Sequence, residues 1–221
     1  MDKLSIIIPA FNAEKYLKEA VESAAGQCPG LEKEIIIIDD GSKDHTADIA
    51  AGLADRLIRK NRGGAASARN AGFSEASGDL VLFLDADDVM TPGSIELLYK
   101  AMKDGADAVF AKAEDFISEE LSIEEAAQLA PRGDAYFGGL AGCALIRKEV
   151  FDRIGLFDAA LSSGETVDWM LRLQGSGAKI VRLDSVTLKR RLHLSNTSRV
   201  SKEQEMKNYA KLLRERMMRK A

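Results

Sequence analysis

Short apolar runs alternate with amphipathic stretches along the first half of this chain. Residues 35–38, 80–84 and 108–111 are four or five consecutive apolar positions each, and residues 4–8 are apolar except for Ser5, the pattern of strands buried on both faces. Residues 56–59 predict a shorter strand. Between them, residues 13–25, 46–53, 65–76 and 95–102 predict helices; in the first, Tyr16, Leu17, Ala20, Val21 and Ala24 share one face. This order predicts an α/β fold, a Rossmann-like and mostly parallel sheet flanked by helices.

The second half is less regular. Ser122 and Glu125 have the spacing of a capping box before a short helix reaching about residue 130. Gly138, Gly139 and Gly142 allow a bend or a close backbone approach. Residues 148–154 and 165–173 predict helices, and 179–183 and 186–189 two extended segments. Residues 201–219 predict a terminal amphipathic helix with Met206, Tyr209, Leu213 and Met217 on one side. The expected organisation is one domain over residues 1–221: a first half to residue 112, a second to residue 200, then the helix.

Composition narrows the class. No run approaches the roughly 20 apolar residues needed to cross a bilayer, and the start lacks a signal-peptide pattern, so a cytoplasmic protein is expected. Cys28 and Cys143 have no metal-ligand spacing and read as reduced thiols. The net charge of −4 conceals a basic end. Residues 186–221 hold 11 Lys or Arg against 3 acidic residues. The acidic remainder argues against nucleic acid as a partner. The basic helix is expected to pack on the acidic body or self-associate, with peripheral contact with an anionic membrane as the alternative.

Ligands of open α/β sheets gather at the carboxyl ends of strands, and three strands here end in polar clusters. Pro9-Ala10-Phe11-Asn12 follows the first, Asp39-Asp40-Gly41-Ser42 the second, and Asp85-Ala86-Asp87-Asp88 the strand at 80–84. Three carboxylates within four residues repel unless a cation offsets them, which suggests a hydrated divalent ion shared with phosphates. A solvated acidic turn before the helix near Pro92 is the alternative. Asp40 suits a base or ribose contact, or the cap of a neighbouring helix. Gly63 and Arg69 offer a backbone donor and a fixed charge to a diphosphate, or a loop and an exposed arginine. Gly-Lys-Ser/Thr and G-x-G-x-x-G are both absent, which removes the commonest nucleotide-binding rivals.

Taken in order, these clusters, with Ala68-Arg69-Asn70-Ala71-Gly72, resemble the inverting glycosyltransferases of family 2, which have the GT-A fold. The resemblance covers the first 110 residues. It implies that Asp40 meets the nucleobase with Pro9, Phe11 and Asn12 beside it, and that Asp85 and Asp87 form an Asp-x-Asp signature. Pro9, Phe11, Asn12, Asp40, Gly63, Arg69, Asp85 and Ala86 would then bind a nucleoside diphosphate sugar, by family default UDP-linked. Asp87, Asp88 and His193 would hold Mn²⁺ or Mg²⁺. The acceptor is left open.

One departure bears on catalysis. The family commonly has Glu-Asp-x-Asp at a later helix start, the second residue serving as base; here Gly164-Glu165-Thr166-Val167-Asp168 puts a threonine there. Glu165 is the expected replacement base and Asp168 the second candidate, helix-start carboxylates being the structural alternative. His193 is a candidate ligand or a packed histidine, and Trp169 suits the core better than a sugar. Two other readings remain: a non-catalytic sugar-nucleotide-binding protein, motivated by Thr166, and a phosphohydrolase of the haloacid dehalogenase kind. The Asp-x-Asp of such a phosphohydrolase would belong on the first strand.

Overall fold

The computed structural model describes residues 2–137, 141–161 and 164–196. The elements run β1 (Lys3–Ala10), α1 (Leu17–Ala25), β2 (Glu32–Asp39), α2 (Thr46–Ala51), β3 (Arg56–Arg59), α3 (Gly64–Glu75), β4 (Leu80–Phe83), β5 (Val89–Met90), α4 (Ser94–Lys103), β6 (Ala108–Ile117), α5 (Ile123–Ala126), β7 (Ala144–Arg147), α6 (Lys148–Ile154), α7 (Glu165–Gln174) and β8 (Ile180–Leu192). One sheet has the order β3-β2-β1-β4-β7-β6-β8-β5. The β3-β2-β1-β4 side is parallel, whereas β7 is antiparallel to both β4 and β6.

Strand alternation divides the core. Ile6, Ile8, Ile35, Ile37, Leu80 and Leu82 face α1 and α4. Ile7, Ile36, Ile38, Val81 and Phe83 face α3, α6 and α7, where Phe151 stacks on Trp169 with ring centroids 4.7 Å apart. Helix α3 lies close against the sheet. A Cβ on Gly72 would stand 2.4 Å from Ile7 Cγ2 and 2.5 Å from Ile38 Cδ1, so only glycine permits this approach.

Several boundaries differ from the sequence pattern. The first helix starts at Leu17 rather than residue 13, because Asn12 takes a left-handed φ of 48° and residues 13–16 form a turn closed on the Ala13 carbonyl. The two extended segments expected over 179–183 and 186–189 merge into one strand, β8, which begins at Ile180 and is held along its length by β6. Strands β5 and β7 were not expected. The capping box of Ser122 and Glu125 is present at α5. The helix expected over 201–219 and the glycines at 138 and 139 lie outside the described residues. Gly142 does make a close approach, its Cβ position lying 3.2 Å from Leu188 Cδ2. Among the described residues, Cys28 and Cys143 form no disulfide, and no helix is long and apolar enough to cross a membrane.

Candidate active site

Parallel pairing of β3, β2, β1 and β4 brings their carboxyl ends to one edge, and the polar clusters converge there. Asn12 links the first two: its amide donates to Ser42 Oγ at 2.9 Å and its Oδ1 accepts the Lys43 amide at 3.0 Å. Pro9 is half-buried beside it. Phe11 lies under the Arg62 guanidinium, 3.5 Å from the ring centroid.

Asp40 is 4% exposed and heavily bonded. Its carboxylate accepts the Gly63 and Gly64 amides, the latter at 2.7 Å, and the Lys60 ammonium at 2.6 Å. It therefore ties the end of β2 to the start of α3, where unpaired amides and the helix dipole favour a carboxylate. The capping alternative expected for Asp40 is thus present in its bonds to the Gly63 and Gly64 amides. Gly63 spends its amide on Asp40 and does not present it to solvent.

The acidic turn separates its three carboxylates. The Asp88 amide donates to the Asp85 carbonyl at 3.1 Å, and this turn reverses the chain into β5. Asp85 and Asp87 stay partly exposed, Ala86 is buried, and Asp88 is 3% exposed. Asp88 Oδ1 accepts the Arg191 amide at 2.9 Å. Burial, with the charges of Asp87 and Asp85 beside it, pushes the Asp88 carboxyl well above the ordinary carboxylate range. Asp88 was expected as a metal ligand. In this geometry it is buried, with Oδ1 on the backbone of β8.

Pairing of β5 with β8 (Val89 opposite Lys189) delivers the residues after β8 to this turn. His193 Nε2 lies 3.0 Å from Asp87 Oδ2, and its Nδ1 lies 2.8 Å from Ser195 Oγ. Two expected metal ligands thus meet. Arg191, in the same basic stretch as His193, braces the contact. This buried residue donates from Nε to the Asp87 carbonyl at 2.9 Å, pairs with Glu19 and lies over Tyr16 and Phe116. Beside His193 opens a cleft of about 240 Å³ lined by Lys15, Tyr16, Glu120 and Leu194 among others. Burial works against ionisation of Glu120, but the Ser118 and Tyr16 hydroxyls donate to it and hold it at about 2.

Arg69 was expected to face a diphosphate, yet it is 5% exposed. One terminal nitrogen donates to Asp85 at 2.7 Å and the other to Glu165 at 2.9 Å. Burial alone would lower the guanidinium pKa, but these two carboxylates raise it. The base candidates differ in surroundings. Glu165 lies in the first turn of α7 toward the acidic turn, whereas Asp168 pairs with Arg172 at 2.9 Å. Arg172 also donates to the carbonyls of Gly155 and Leu156 at 3.1 and 2.6 Å, closing the end of α6. Asp168 thus belongs to a structural clamp. Trp169 is core, its Nε1 donating to the Gly155 carbonyl at 3.1 Å.

A parallel nucleotide-type sheet, with an Asp-x-Asp turn at its carboxyl edge and a mixed second half closing over it, defines a GT-A protein. The sequence profile of glycosyl transferase family 2 matches residues 5–155, and the chain belongs to that family. It is 33% identical over 178 residues to the glycosyltransferase GlyG of Streptococcus pneumoniae, covering 68% of this chain and 58% of that one. An uncharacterized glycosyltransferase of Rickettsia prowazekii is 30% identical over 217 residues, covering 91% of this chain and 67% of its own. In fold, it resembles the Staphylococcus aureus TarS fragment crystallised with UDP-GlcNAc. The TM-score is 0.67 at 24% identity, over 88% of this chain and 60% of that one. The chain thus spans about three fifths of GlyG and of the TarS fragment.

Proposed function

We propose that this chain transfers a sugar, with inversion, from a UDP-linked donor and that a divalent metal assists. The observation that carries the reading is the meeting of Asp87 with His193 at 3.0 Å on the carboxyl edge of the sheet. Neighbouring corners of an octahedron with bonds of about 2.1 Å are about 3 Å apart, so carboxylate oxygen and imidazole nitrogen suit one small cation. Among the described residues, no group of three His, Cys, Asp or Glu side chains forms a ligand set. Asp87 and His193 would therefore supply part of the shell, with diphosphate oxygens and water completing it. Held there, such an ion would supply positive charge to offset that of the departing diphosphate.

In this reading the nucleoside lies on Pro9, Phe11 and Asn12, with Asp40 and Gly63 forming the wall and Asp85 and Ala86 beside the ribose. Glu165 takes the proton of the acceptor hydroxyl. The acceptor oxygen bonds to the anomeric carbon as the bond from that carbon to the diphosphate oxygen breaks, and the nucleoside diphosphate leaves with the electron pair. A positioned base of this kind contributes typically about 10²–10⁴-fold.

The test is UDP release from UDP-glucose and UDP-N-acetylglucosamine, with MnCl₂, MgCl₂ or excess EDTA. Metal-dependent release that Glu165→Gln removes supports the reading. UDP binding without turnover of any UDP-sugar would favour a binding protein, to which the neutral Thr166 points.

A further inference from the structure

Two carboxylates with different parts in the proposed reaction share one buried cation. Arg69 reaches from α3 with one guanidinium nitrogen on Asp85 Oδ1 at 2.7 Å and the other on Glu165 Oε1 at 2.9 Å. Its Nε has no hydrogen-bond partner among the described residues. The next residue grips the segment leading into α7: Asn70 Nδ2 donates to the Phe157 carbonyl at 2.8 Å, and Oδ1 accepts the Phe157 amide at 3.1 Å. Adjacent residues of α3, an element of the nucleotide-side half, thus hold both the approach to α7 and its first carboxylate.

We propose that Arg69 is a positioning residue for the transfer, fixing Glu165 relative to Asp85 by holding Oε1 and leaving Oε2 to take the acceptor proton. The inference rests on Glu165 as base. A guanidinium is planar and presents its N–H groups in a rigid fork, so the place of one carboxylate determines the place of the other. Burial stiffens the bridge, because either carboxylate leaving would strand charge in a poorly solvated site. Lysine has one nitrogen and reaches both partners only by drawing them to a single point. A diphosphate contact, by contrast, would require Arg69 to give up the bonds it makes here.

The experiment compares Arg69→Lys and Arg69→Met, each alone and with Glu165→Gln. It reads kcat for UDP-glucose and UDP-N-acetylglucosamine hydrolysis, melting temperature, and UDP and uridine affinity by calorimetry. Arg69→Lys is expected to lower kcat about 100-fold, the usual cost of a misplacement near 1 Å. Any loss of UDP affinity should be matched by an equal loss of uridine affinity, since Arg69 touches the nucleotide side only through Asp85, and the same substitution should add nothing to the kcat loss in the Glu165→Gln background, where no base remains to be positioned. An equal loss in both backgrounds overturns the proposal. So does a lowered melting temperature with wild-type kcat per folded molecule. Weakened UDP binding with unchanged uridine binding also overturns it, placing Arg69 on the diphosphate. Should Glu165→Gln itself hydrolyse donor like the wild type, the base assignment fails first, and the positioning role with it.

Discussion

The Asp87 carboxylate and the His193 imidazole, 106 positions apart in the chain, meet at 3.0 Å. Two strand pairings produce the contact, β5 with β8 and β6 with β8, and Arg191 secures it from below. If the pair holds a metal, Asp87→Ala and His193→Ala should each lower UDP-sugar turnover by about 10²–10³-fold, the scale of a lost electrostatic stabiliser. In both variants MnCl₂ should no longer strengthen UDP binding in a calorimetric titration. Full wild-type turnover in excess EDTA would sink the metal assignment.

Asp40 is expected to affect stability and binding together. Its substitution by Ala leaves the Gly63 and Gly64 amides and Lys60 without their carboxylate. A bond to a charged acceptor is worth about 1.5–3 kcal/mol, so Asp40→Ala should lower the unfolding free energy by at least that much. UDP affinity should fall too, because the loop after β3 loses its anchor to β2. Urea denaturation and UDP titration of the same variant separate the effects. Unchanged stability with weakened binding would mean that Asp40 serves the ligand alone.

The parallel half was legible because strands buried on both faces are written as apolar runs, and polar residues at their ends stand out against them. The second half was not. Ala144 to Arg147 form a strand of four residues running straight into a helix, and Asp184-Ser185 splits the apolar pattern of β8 without ending the strand. The site divides similarly. Asp85, Asp87 and Asp88 look alike in sequence, and only the turn closed by the Asp88 amide decides which carboxylate is buried. Arg69 announced a charge but not its destination, since nothing local to α3 tells that Glu165 will pack against it. Thr166 marks, in the sequence alone, a departure from the Glu-Asp-x-Asp pattern that the resemblance leads one to expect.

The clamp at α7 yields a contrast between neighbours. Asp168 orients Arg172, which closes the carbonyls after α6. Asp168→Asn should therefore lower the melting temperature while kcat stays within about fivefold of wild type, less than the smallest loss usual for a general base. Arg172→Ala should cost more, about 2–3 kcal/mol, because it strands several carbonyls and a carboxylate. Thermal unfolding and UDP-sugar hydrolysis provide the check. A loss of several hundredfold in Asp168→Asn with normal stability would move the base to Asp168.

Glu34 gives a pH dependence whose sign can be worked out. Its Oε1 accepts the Ser5 hydroxyl at 2.6 Å and the Ser77 amide and hydroxyl at 2.6 and 2.9 Å, joining β1, β2 and the turn before β4. Burial works to raise its pKa, but these donors and Lys3 outweigh it and hold the carboxyl below its ordinary 4.5. A carboxylate depressed by folding contributes stability above the unfolded pKa and loses it as pH falls through the folded one. Glu34→Gln keeps an acceptor oxygen but removes the charge, so it should cost about 1 kcal/mol at pH 7. That cost should shrink steadily below pH 4.5 as the wild-type carboxylate is protonated in its turn. Urea unfolding of both proteins at pH 7, 5 and 3 measures it. A difference that stays constant across that range would show that the Ser5 and Ser77 contacts owe nothing to the charge.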